Sequence, residues 1–266
     1  MIMGAHYKTV WLSDIHLGNK DCKAEYLLDF LENNQIDTLY LVGDIIDIWS
    51  MQRTMYWSQS HNNVIRTLLG KAKRGTKIIY VPGNHDEQFR ACAGMVFGNI
   101  EVHNEYVHTT PAGKKILILH GDKFDTLMQC NGLMNFIGNK SYDLLLYLNR
   151  HLCKWRQHLG FPYWSLAASL KKKVKDAMSH IRKYEEIVSN DARERGYDGV
   201  ICGHIHHAEM RMIDNTLYCN DGDWVENCTA LVENRNGQME LIHWTDKQEI
   251  LGSMAISDAH NSEKAA

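Results

Sequence analysis

The segment Leu39-Tyr-Leu-Val-Gly-Asp44-Ile-Ile-Asp47 decides the fold of this chain. Its first four residues form an unbroken apolar run, which is typical of a parallel strand covered on both faces. Gly43 permits a sharp turn after that strand, so Asp44 is expected at the strand's carboxyl end, where open α/β sheets bind their ligands. An isolated Gly-Asp pair is more often a turn that caps the next helix. We instead interpret Asp44 as a carboxylate that bridges two divalent cations about 3.5–4 Å apart, because the same pattern recurs along the chain.

Four further apolar runs end in polar residues in the same manner. The predicted strands are Thr9–Leu12, Lys77–Val81, Lys115–Leu119 and Tyr197–Cys202. The polar side chains that follow them are Asp14 and His16, then Asn84, His85 and Asp86, then His120, and finally His204 and His206. Glu25–Asn34 and Asn63–Arg74 show helical spacing of apolar residues between the first strands. Since the carboxyl ends of parallel strands meet at one edge of a sheet, the polar residues are expected to lie together.

The composition fits one globular domain. The chain has 266 residues and a formal net charge of −3, so it can bury one substantial core and has no overall basic signature of nucleic-acid binding. Its seven cysteines include no Cys-x-x-Cys pair, the first residues lack a signal-peptide core, and no apolar run approaches the roughly 20 residues that cross a bilayer. We therefore expect a cytoplasmic protein with reduced cysteines. Its single domain spans residues 1–252, with a helical lid insertion at about 125–195 and a flexible tail at 253–266.

A basic segment interrupts the alternation of strands and helices. Lys140–Lys183 holds ten Lys or Arg residues against two acids, a net charge of +8, which leaves −11 for the rest of the chain. Apolar stripes at helical spacing run over Leu145–Leu159 and Leu166–Ile181, so the pattern predicts two basic amphipathic helices. They form either an ordinary hairpin with a solvated basic face or a lid whose apolar side meets acyl chains or a bilayer while its cations meet phosphates.

Short apolar runs separated by turn residues fill the last third of the chain. The strands predicted there are Thr216–Cys219, Cys228–Glu233 and Met239–Trp244, and Ile100–Thr109 is a further predicted strand upstream. We expect the strands of the last third to form the second sheet of a two-layer β core.

The candidate metal ligands share one chemical character. They are oxygen and imidazole donors without a thiolate, namely Asp14, His16, Asp44, Asn84, His120, His204 and His206. Any one of them alone is more often an ordinary core or surface residue. Seven at one predicted sheet edge indicate a metal centre that suits Mn, Fe or Zn, and they argue against a structural cysteine-bound zinc.

The order of these motifs resembles the calcineurin-like metallophosphoesterase family. The motifs are Asp-x-His, Gly-Asp-x-x-Asp, Gly-Asn-His-Asp, His-Gly-Asp and Gly-His-x-His, spread over residues 14–206. The resemblance implies an α/β protein, a four-layer α-β-β-α sandwich with a helical lid insertion, in which two metals activate water against a phosphoester. It implies two metal sites, one held by Asp14, His16 and His206 and the other by Asn84, His120 and His204. Asp44 would bridge them, His85 would stabilise the transition state or protonate the leaving oxygen, and Asp47 would orient the His85 ring.

Within that family, longer stretches are similar to the UDP-2,3-diacylglucosamine diphosphatases. These stretches are Trp11-Leu-Ser-Asp-Ile-His-Leu-Gly18, Gly43-Asp-Ile-Ile-Asp-Ile-Trp49, His120-Gly-Asp122 with a helical insertion after it, and Gly222-Asp-Trp-Val-Glu226. The resemblance implies a peripheral hydrolase on the inner face of the cytoplasmic membrane. It would cleave the pyrophosphate of a nucleotide-linked lipid A precursor to UMP and 2,3-diacylglucosamine 1-phosphate, commonly with Mn. The insertion would supply the acyl-chain pocket beside an anionic membrane surface, and no protein partner is implied.

Two positions bear on the choice of substrate. Phosphoprotein phosphatases carry arginine directly after the second aspartate of the Gly-Asp block, whereas this chain has Ile48, which disfavours that activity. Some UDP-2,3-diacylglucosamine diphosphatases carry arginine at the position of His85, and Arg90 is the candidate to supply that phosphate contact here. The other candidate phosphate-binding residues are Lys171, Lys172, Lys173 and Arg182.

Alternatives to a lipid-directed pyrophosphatase stay open. A broad-specificity phosphodiesterase, phosphatase or nuclease would use the basic segment to follow a nucleic-acid backbone. The leucine-rich stripes of that segment offer few aromatic side chains for base stacking, which disfavours a nucleic-acid partner. A noncatalytic scaffold would have lost ligands, and all seven are present. Trp224 and Glu226 either serve the site or pack in the core, and the sequence is compatible with both roles.

Overall fold

The computed structural model describes residues 4–125 and 175–255, with side chains from 179 onward in the second range. Two β-sheets lie face to face, and helices cover the outer face of each sheet. The chain is therefore an α/β protein with the α-β-β-α order of layers, which confirms the fold class implied by its motifs.

The first sheet has eight strands. They are β1 (His6–Leu12), β2 (Gln35–Leu41), β3 (Lys77–Tyr80), β4 (Val96–Phe97), β5 (Ile100–Val102), β11 (Thr229–Glu233), β12 (Gln238–Trp244) and β13 (Gln248–Ala255). Their order is β13-β12-β11-β1-β2-β3-β5-β4. The four strands β1, β2, β3 and β5 are parallel, so the loops after β1, β2 and β3 leave the sheet at the same edge.

The second sheet has five strands. They are β6 (Tyr106–Thr109), β7 (Lys115–Ile118), β8 (Gly199–Cys202), β9 (Glu209–Ile213) and β10 (Thr216–Asn220). Their order is β6-β7-β8-β10-β9, and β7, β8 and β10 are parallel. The loops after β7 and β8 therefore also lie at one edge.

Four α-helices are described, and three of them build the outer layers. They are α1 (Ala24–Asn33), α2 (Ile48–Arg53), α3 (Gln59–Lys73) and α4 (Lys175–Glu194). Leu27 and Phe30 of α1 and Val64 of α3 pack on the first sheet. Tyr184 and Val188 of α4 pack on the second sheet. Two short 3-10 helices follow β3 and β7, at Glu87–Cys92 and Asp122–Phe124.

The alternation of side chains along each strand divides the core into three layers. Leu39 and Leu41 of β2 face the helices α1 and α3, whereas Tyr40 and Val42 face the second sheet. In the second sheet, Ile118 faces the first sheet and its neighbours along the strand face α4. Both faces of the parallel strands are buried, which is why they read as continuous apolar runs in the sequence.

The predicted strand Ile100–Thr109 is wrong as a single element. The structure divides it into β5 in the first sheet and β6 in the second, with His103–Glu105 as the connection. Apolar spacing identifies extended chain but contains no information on which sheet the chain joins, so the crossing between layers was not visible in the sequence.

The sheet predicted for the last third is also corrected. β9 and β10 do belong to the second sheet, but β11, β12 and β13 extend the first sheet, where β11 pairs antiparallel with β1. The strand β13 continues to Ala255, three residues beyond the predicted end of the domain at 252. Its pairing with β12 supplies the hydrogen bonds that keep these residues extended.

Most of the predicted basic hairpin lies outside the described residues. The helix α4 begins at Lys175 and continues to Glu194, well past the end of the second predicted stripe at Ile181. No helix in the described ranges is long and apolar enough to span a bilayer.

Candidate metal centre

Five of the predicted ligands occupy a backbone conformation that residues with a side chain rarely adopt. They have positive φ angles, namely Asp14 (49°), His16 (54°), Asp44 (53°), His204 (70°) and His206 (52°). The left-handed region costs roughly 1–2 kcal/mol for such residues. It persists where the surrounding structure forces it, and such positions concentrate at functional sites. The loops after β1, β2 and β8 are therefore held in conformations that local preference opposes.

The loops after β1 and β8 bring Asp14, His16 and His206 together. Asp14 Oδ1 lies 3.1 Å from His206 Nε2 and 3.8 Å from His16 Nε2, and the two Nε2 atoms are 3.4 Å apart. The other Asp14 oxygen, Oδ2, accepts a hydrogen bond from the backbone N–H of His204 (2.8 Å). This close approach requires Gly203, since a Cβ there would overlap the Asp14 carboxylate. The first predicted ligand group is thus assembled, with Asp14 Oδ1 turned toward both rings.

The loops after β2 and β7 bring Asp44 and His120 together. Asp44 Oδ2 lies 3.4 Å from His120 Nε2, and both atoms belong to a group with Asp14 in which the potential ligand atoms lie within 4.8 Å of one another. His120 Nδ1 donates to the carbonyl of Val42 (2.9 Å), which directs Nε2 toward the centre as the atom that a cation would bind. Gly43 has a φ of 84°, and a Cβ there would overlap the His120 ring. Gly43 therefore allows both the turn and the approach of the imidazole.

His85 stands at the side of these ligands. Its Nδ1 lies 2.8 Å from Asp47 Oδ1, and its Nε2 lies 3.9 Å from Asp44 Oδ2. The other Asp47 oxygen lies 3.3 Å from His16 Nδ1, so one carboxylate contacts both rings. Trp49 lies against the His85 ring, with centroids 4.5 Å apart and an interplanar angle of 35°. The ring is held between Asp47 and Trp49 with Nε2 directed to the centre.

Asn84 and His204 complete the predicted set. The Oδ1 atom of Asn84 is buried without a hydrogen-bond partner. The His204 ring lies 5.2 Å from the His120 ring, between centroids. His204 Nε2 lies 2.9 Å from both oxygens of Asp125, an exposed residue at the end of the short helix after β7. This contact places a proton on Nε2 and leaves Nδ1 with a free lone pair.

Sequence reasoning missed the residues that hold the ligands from behind. Asp86, from the Gly-Asn-His-Asp block, is fully buried and accepts backbone N–H groups from Gly83 (2.6 Å), Asp44 (3.3 Å) and Ile45 (2.7 Å). It thereby ties the loop after β3 to the loop after β2. Its place in the motif was the available signal, but the backbone partners depend on the fold.

A second supporting group lies behind Asp14. Ser13 Oγ is within hydrogen-bond distance of Asp14 Oδ2 (2.5 Å) and Asp221 Oδ1 (2.7 Å). Asp221 is fully buried, and burial raises the pKa of its carboxyl well above the usual range. Asn220 Nδ2 donates to the carbonyl of Gly203 (2.7 Å). The end of β10 therefore fixes the loops after β1 and β8, a role without any signal in residue spacing.

In the metal-free protein, the carboxylates and imidazoles of the candidate ligands shift one another's pKa values. Burial raises the pKa of Asp14, but His206 and His16 outweigh it and hold that pKa well below its usual range. Burial likewise raises the pKa of Asp44, but the neighbouring His120 and His16 outweigh burial, so the pKa of Asp44 lies below its usual range. The rings respond in the opposite sense. Burial lowers the pKa of His16, but the surrounding carboxylates, Asp14 first, raise it well above its usual range. Burial also lowers the pKa of His120, and the charge of Asp44 outweighs it and raises that pKa to about 10.

The structure describes two of the five predicted substrate-binding residues, Arg90 and Arg182. Arg90 Nη2 contacts both oxygens of Asp122, at 2.9 and 2.8 Å, and the carbonyl of Pro82 at 3.4 Å. Arg90 thus joins the loops after β3 and β7 at the rim of the site. Arg182 is exposed on α4, and Lys171–Lys173 lie outside the described residues.

Trp224 packs in the core. Its side chain is fully buried and lies 5.8 Å from the Phe30 ring, between centroids. Its backbone N–H donates to the carbonyl of Asp14 (3.0 Å), so it also supports the loop after β1. Glu226 is fully buried as well.

The residues present fit a pair of divalent cations. Three candidate ligand atoms are buried without a hydrogen-bond partner, namely Asp14 Oδ1, Asn84 Oδ1 and His120 Nε2. Such orphaned atoms are rare in native cores and call for a bound group. The donors are carboxylate and amide oxygens with imidazole nitrogens, which suits Mn, Fe or Zn.

Known proteins resemble this chain over most of its length. The model of the family described as calcineurin-like phosphoesterase matches residues 7–208. A protein of Chromohalobacter salexigens named UDP-2,3-diacylglucosamine hydrolase is 29% identical over 216 residues, which cover 74% of this chain and 79% of that protein. Proteins of the same name from Blochmanniella pennsylvanica (24% over 223 residues, 77% and 81% covered) and Psychromonas ingrahamii (26% over 258 residues, 88% and 96% covered) are also similar.

Proposed function

This chain belongs to the calcineurin-like phosphoesterase family and is a metal-dependent phosphoester hydrolase; on that premise we propose that it cleaves the pyrophosphate of UDP-2,3-diacylglucosamine. The products are UMP and 2,3-diacylglucosamine 1-phosphate, and the cofactors are two divalent cations, with Mn preferred over Fe or Zn. The relatives named above support this substrate, as do the longer motifs around Asp14, Asp44 and Trp224.

One observation carries the hydrolytic part of the proposal. Ligand atoms from separate loops converge on two buried carboxylates, Asp14 and Asp44, in groups whose potential ligand atoms lie within 4.8 Å of one another. Two carboxylates buried close together are costly unless positive charge compensates them. Cations satisfy these groups together.

The proposed division of ligands is the one that the family resemblance implies. Asp14, His16 and His206 would hold one cation, Asn84, His120 and His204 the other, and Asp44 would contact both; the proximity of Asp14, His16 and His206 supports the first group. When bound, two such cations lower the pKa of water and neutralise charge on the phosphoryl oxygens. The chain's own contribution is to fix these ligands on loops that β-strands and buried backbone hydrogen bonds hold in place.

His85 supplies the proton in this proposal. Asp47 accepts the Nδ1 proton and fixes the ring, so Nε2 is the atom that faces the centre. A proton on Nε2 is then in a position to pass to the leaving oxygen, here the phosphate of the sugar product. Trp49 covers the outer face of the ring and limits its rotation.

The remaining parts of the proposal concern the lipid. Arg90 at the rim contacts a substrate phosphate through the guanidinium nitrogens that Asp122 does not use. Arg182 and Lys171–Lys173 are proposed to supply the positive charges of the basic segment, which would cover the acyl chains and attach a cytoplasmic enzyme to the anionic inner face of the membrane.

The test is release of UMP by the purified full chain. The protein is stripped of metal, reloaded with Mn, Fe or Zn, and assayed on UDP-2,3-diacylglucosamine, a soluble phosphodiester, and single-stranded and duplex DNA. We expect Mn-dependent UMP release that exceeds turnover of the other substrates. Equal or faster cleavage of the diester or of DNA would identify a broad-specificity phosphodiesterase or nuclease, and a metal-binding protein inert to all of them would be a scaffold.

A further inference from the structure

A groove lies at the opposite end of the parallel strands of the first sheet from the candidate metal centre. Two adjoining cavities of about 520 and 510 Å³ share Glu32, Lys71 and Arg74 and open between α1, α3 and the start of β2. We name this feature the basal groove. Gln35 lines it at one end of β2, and Asp44 follows the other end. A seven-residue strand spans about 20 Å, so an occupant of the groove has no contact with the reacting atoms.

Lys71 forms the floor of the basal groove and is nine-tenths buried, with an exposed fraction of 7%. Its Nζ donates to the backbone carbonyl of Asn34 at 2.8 Å, whereas an ammonium has three protons to donate. Burial and the charge of Arg74 lower the pKa of Lys71, and Lys71 forms no ion pair with an acid among the described residues. A buried ammonium without a counter-ion is costly. Its presence at the floor of an open groove indicates that an anion compensates it.

Two further cations stand at the rim. Arg66 on α3 and Arg74, which directly follows α3, are exposed and line the groove, and within the part of the chain that the structure describes neither forms an ion pair. Of the two acids that also line the groove, Asp37 is engaged by His6 (2.6 Å) and Arg235 (3.6 Å). The other, Glu32, is exposed. The groove therefore has a surplus of cations around its buried lysine.

The amide of Asn34 adds a second polar group to the floor. Its Nδ2 donates to the carbonyl of Phe30 (2.8 Å), and its Oδ1 is buried without a partner. Such an acceptor suits a hydroxyl or a protonated oxygen of a ligand. The side chain is 2% exposed, so its position is fixed by the fold.

We propose that the basal groove is a second ligand site, which binds a phosphate-bearing anion between Lys71 at the floor and Arg66 and Arg74 at the rim. Guanidinium groups recognise phosphate oxygens by paired hydrogen bonds, and an ammonium binds them as a point charge. Each cavity lies within the size range of small-molecule sites. The ligand is a phosphate monoester, either soluble or the headgroup of a lipid, and this assignment is independent of the substrate proposed for the metal centre.

Hydrogen exchange of the metal-loaded full chain locates the binding site. Exchange is measured with glycerol phosphate against chloride at equal ionic strength, and with phosphatidylcholine vesicles that contain or lack phosphatidic acid. We expect slower exchange in peptides that cover residues 31–37 and 63–76. Protection by glycerol phosphate identifies a soluble ligand, and protection by phosphatidic acid vesicles alone identifies a lipid headgroup. Binding at the metal centre is distinguished because it protects residues 14–18 and 44–47 instead.

The variants separate a built site from general charge. Arg66→Gln with Arg74→Gln should abolish the protection and raise the dissociation constant about tenfold or more, since the paired hydrogen bonds of both guanidinium groups to phosphate are lost. Lys73→Gln is the matched control, because Lys73 is an exposed cation on the same helix that does not line the groove. Absence of protection in the unmodified protein, full protection in the double variant, or an equal loss in the control would overturn the proposal.

Discussion

Asp44 is the residue on which the metal centre converges. Its Oδ2 atom lies 3.4 Å from His120 Nε2, 3.8 Å from His16 Nε2 and 3.9 Å from His85 Nε2. Its Oδ1 accepts the backbone N–H of His85 (2.8 Å), so the carboxylate also orders the loop after β3. A change at this one residue affects every part of the site.

Substitution Asp44→Asn should empty both metal positions together. The amide keeps the size of the side chain but removes the charge that two cations share, so we expect metal content to fall well below that of the unmodified protein and hydrolysis to be lost. Elemental analysis of the purified variant measures this. Asp37→Asn, at an exposed carboxylate on the strand β2 that precedes Asp44, should retain metal. Normal metal content in Asp44→Asn would refute the bridging role.

His85→Ala should separate proton transfer from metal binding. His85 contacts Asp47 and faces Asp44 from the side, so its removal leaves the ligand groups in place. We expect nearly unchanged metal content and a turnover number lower by about 10²–10⁴-fold, the usual contribution of a positioned acid or base. His103→Ala serves as control, since His103 is a half-exposed histidine paired with Glu101 away from the centre. Normal turnover in His85→Ala would exclude the role.

Asp125 should act through His204. Both Asp125 oxygens lie 2.9 Å from His204 Nε2, an arrangement that fixes the tautomer and orientation of a metal-binding imidazole. We expect Asp125→Ala to weaken metal binding by about 10–100-fold, as loss of such partners commonly does. Asp125→Asn keeps one oxygen acceptor and should lose less. Metal titration of the stripped protein distinguishes them, and equal affinity in all three proteins would show that Asp125 has no such role.

Among the secondary-structure elements, the parallel strands matter most for the site, because their carboxyl ends carry the candidate ligands. Asp14, Asp44, Asn84, His120 and His204 all follow parallel strands, and the two sheets place those ends at one edge of the sandwich. The helices contribute by fixing the strands. Phe30 of α1 lies among three core rings, those of Tyr7, Trp224 and Trp244, with centroids 6.4, 5.8 and 5.2 Å away.

Phe30→Ala should destabilise the sandwich from its helical side. Loss of a fully buried aromatic ring leaves a cavity among the surrounding rings, and the expected cost is about 3–5 kcal/mol in the free energy of unfolding. Denaturant unfolding with saturating metal measures it. Glu25→Ala, on the exposed face of the same helix, should change stability by about 1 kcal/mol or less. A similar effect of both substitutions would contradict the packing role of Phe30.

For the molecule as a whole, metal binding is coupled to protons. In the metal-free protein the carboxylates raise the pKa of His16 well above normal and that of His120 to about 10. The raised pKa values favour the protonated rings in the metal-free protein, so a cation competes with protons for these nitrogens.

Metal binding should accordingly release protons and strengthen as pH rises. The raised pKa values mean that protons compete more strongly at lower pH, so apparent affinity should increase between about pH 6 and 9. Calorimetric titration in buffers with different ionisation enthalpies counts the protons released. His120→Gln, which carries no titratable group, should release fewer. An affinity independent of pH with no proton release would show that the rings are neutral before the metal binds.

The sequence by itself determined which residues are candidate metal ligands and at which ends of the strands they lie. Parallel strands buried on both faces must be apolar throughout, so Leu39–Val42 and Lys115–Leu119 are visible without a structure, and the polar residues after them mark one sheet edge. The same local pattern contains no information on strand partners. Only the tertiary structure showed that Ile100–Thr109 changes sheets and that Thr229–Glu233 joins the first sheet.

The tertiary structure also decided what holds the ligands. Asp125 contacts His204, and Asp221 reaches Asp14 through Ser13, over sequence separations of 79 and 208 residues for the two hydrogen bonds concerned. A hydrogen bond between distant residues depends on where the folded chain places them, and no spacing rule encodes it. The chemical identity of the candidate ligands can thus be recognised from the local sequence. Their orientation, and the burial of Lys71 in the basal groove, depend on how the folded chain packs.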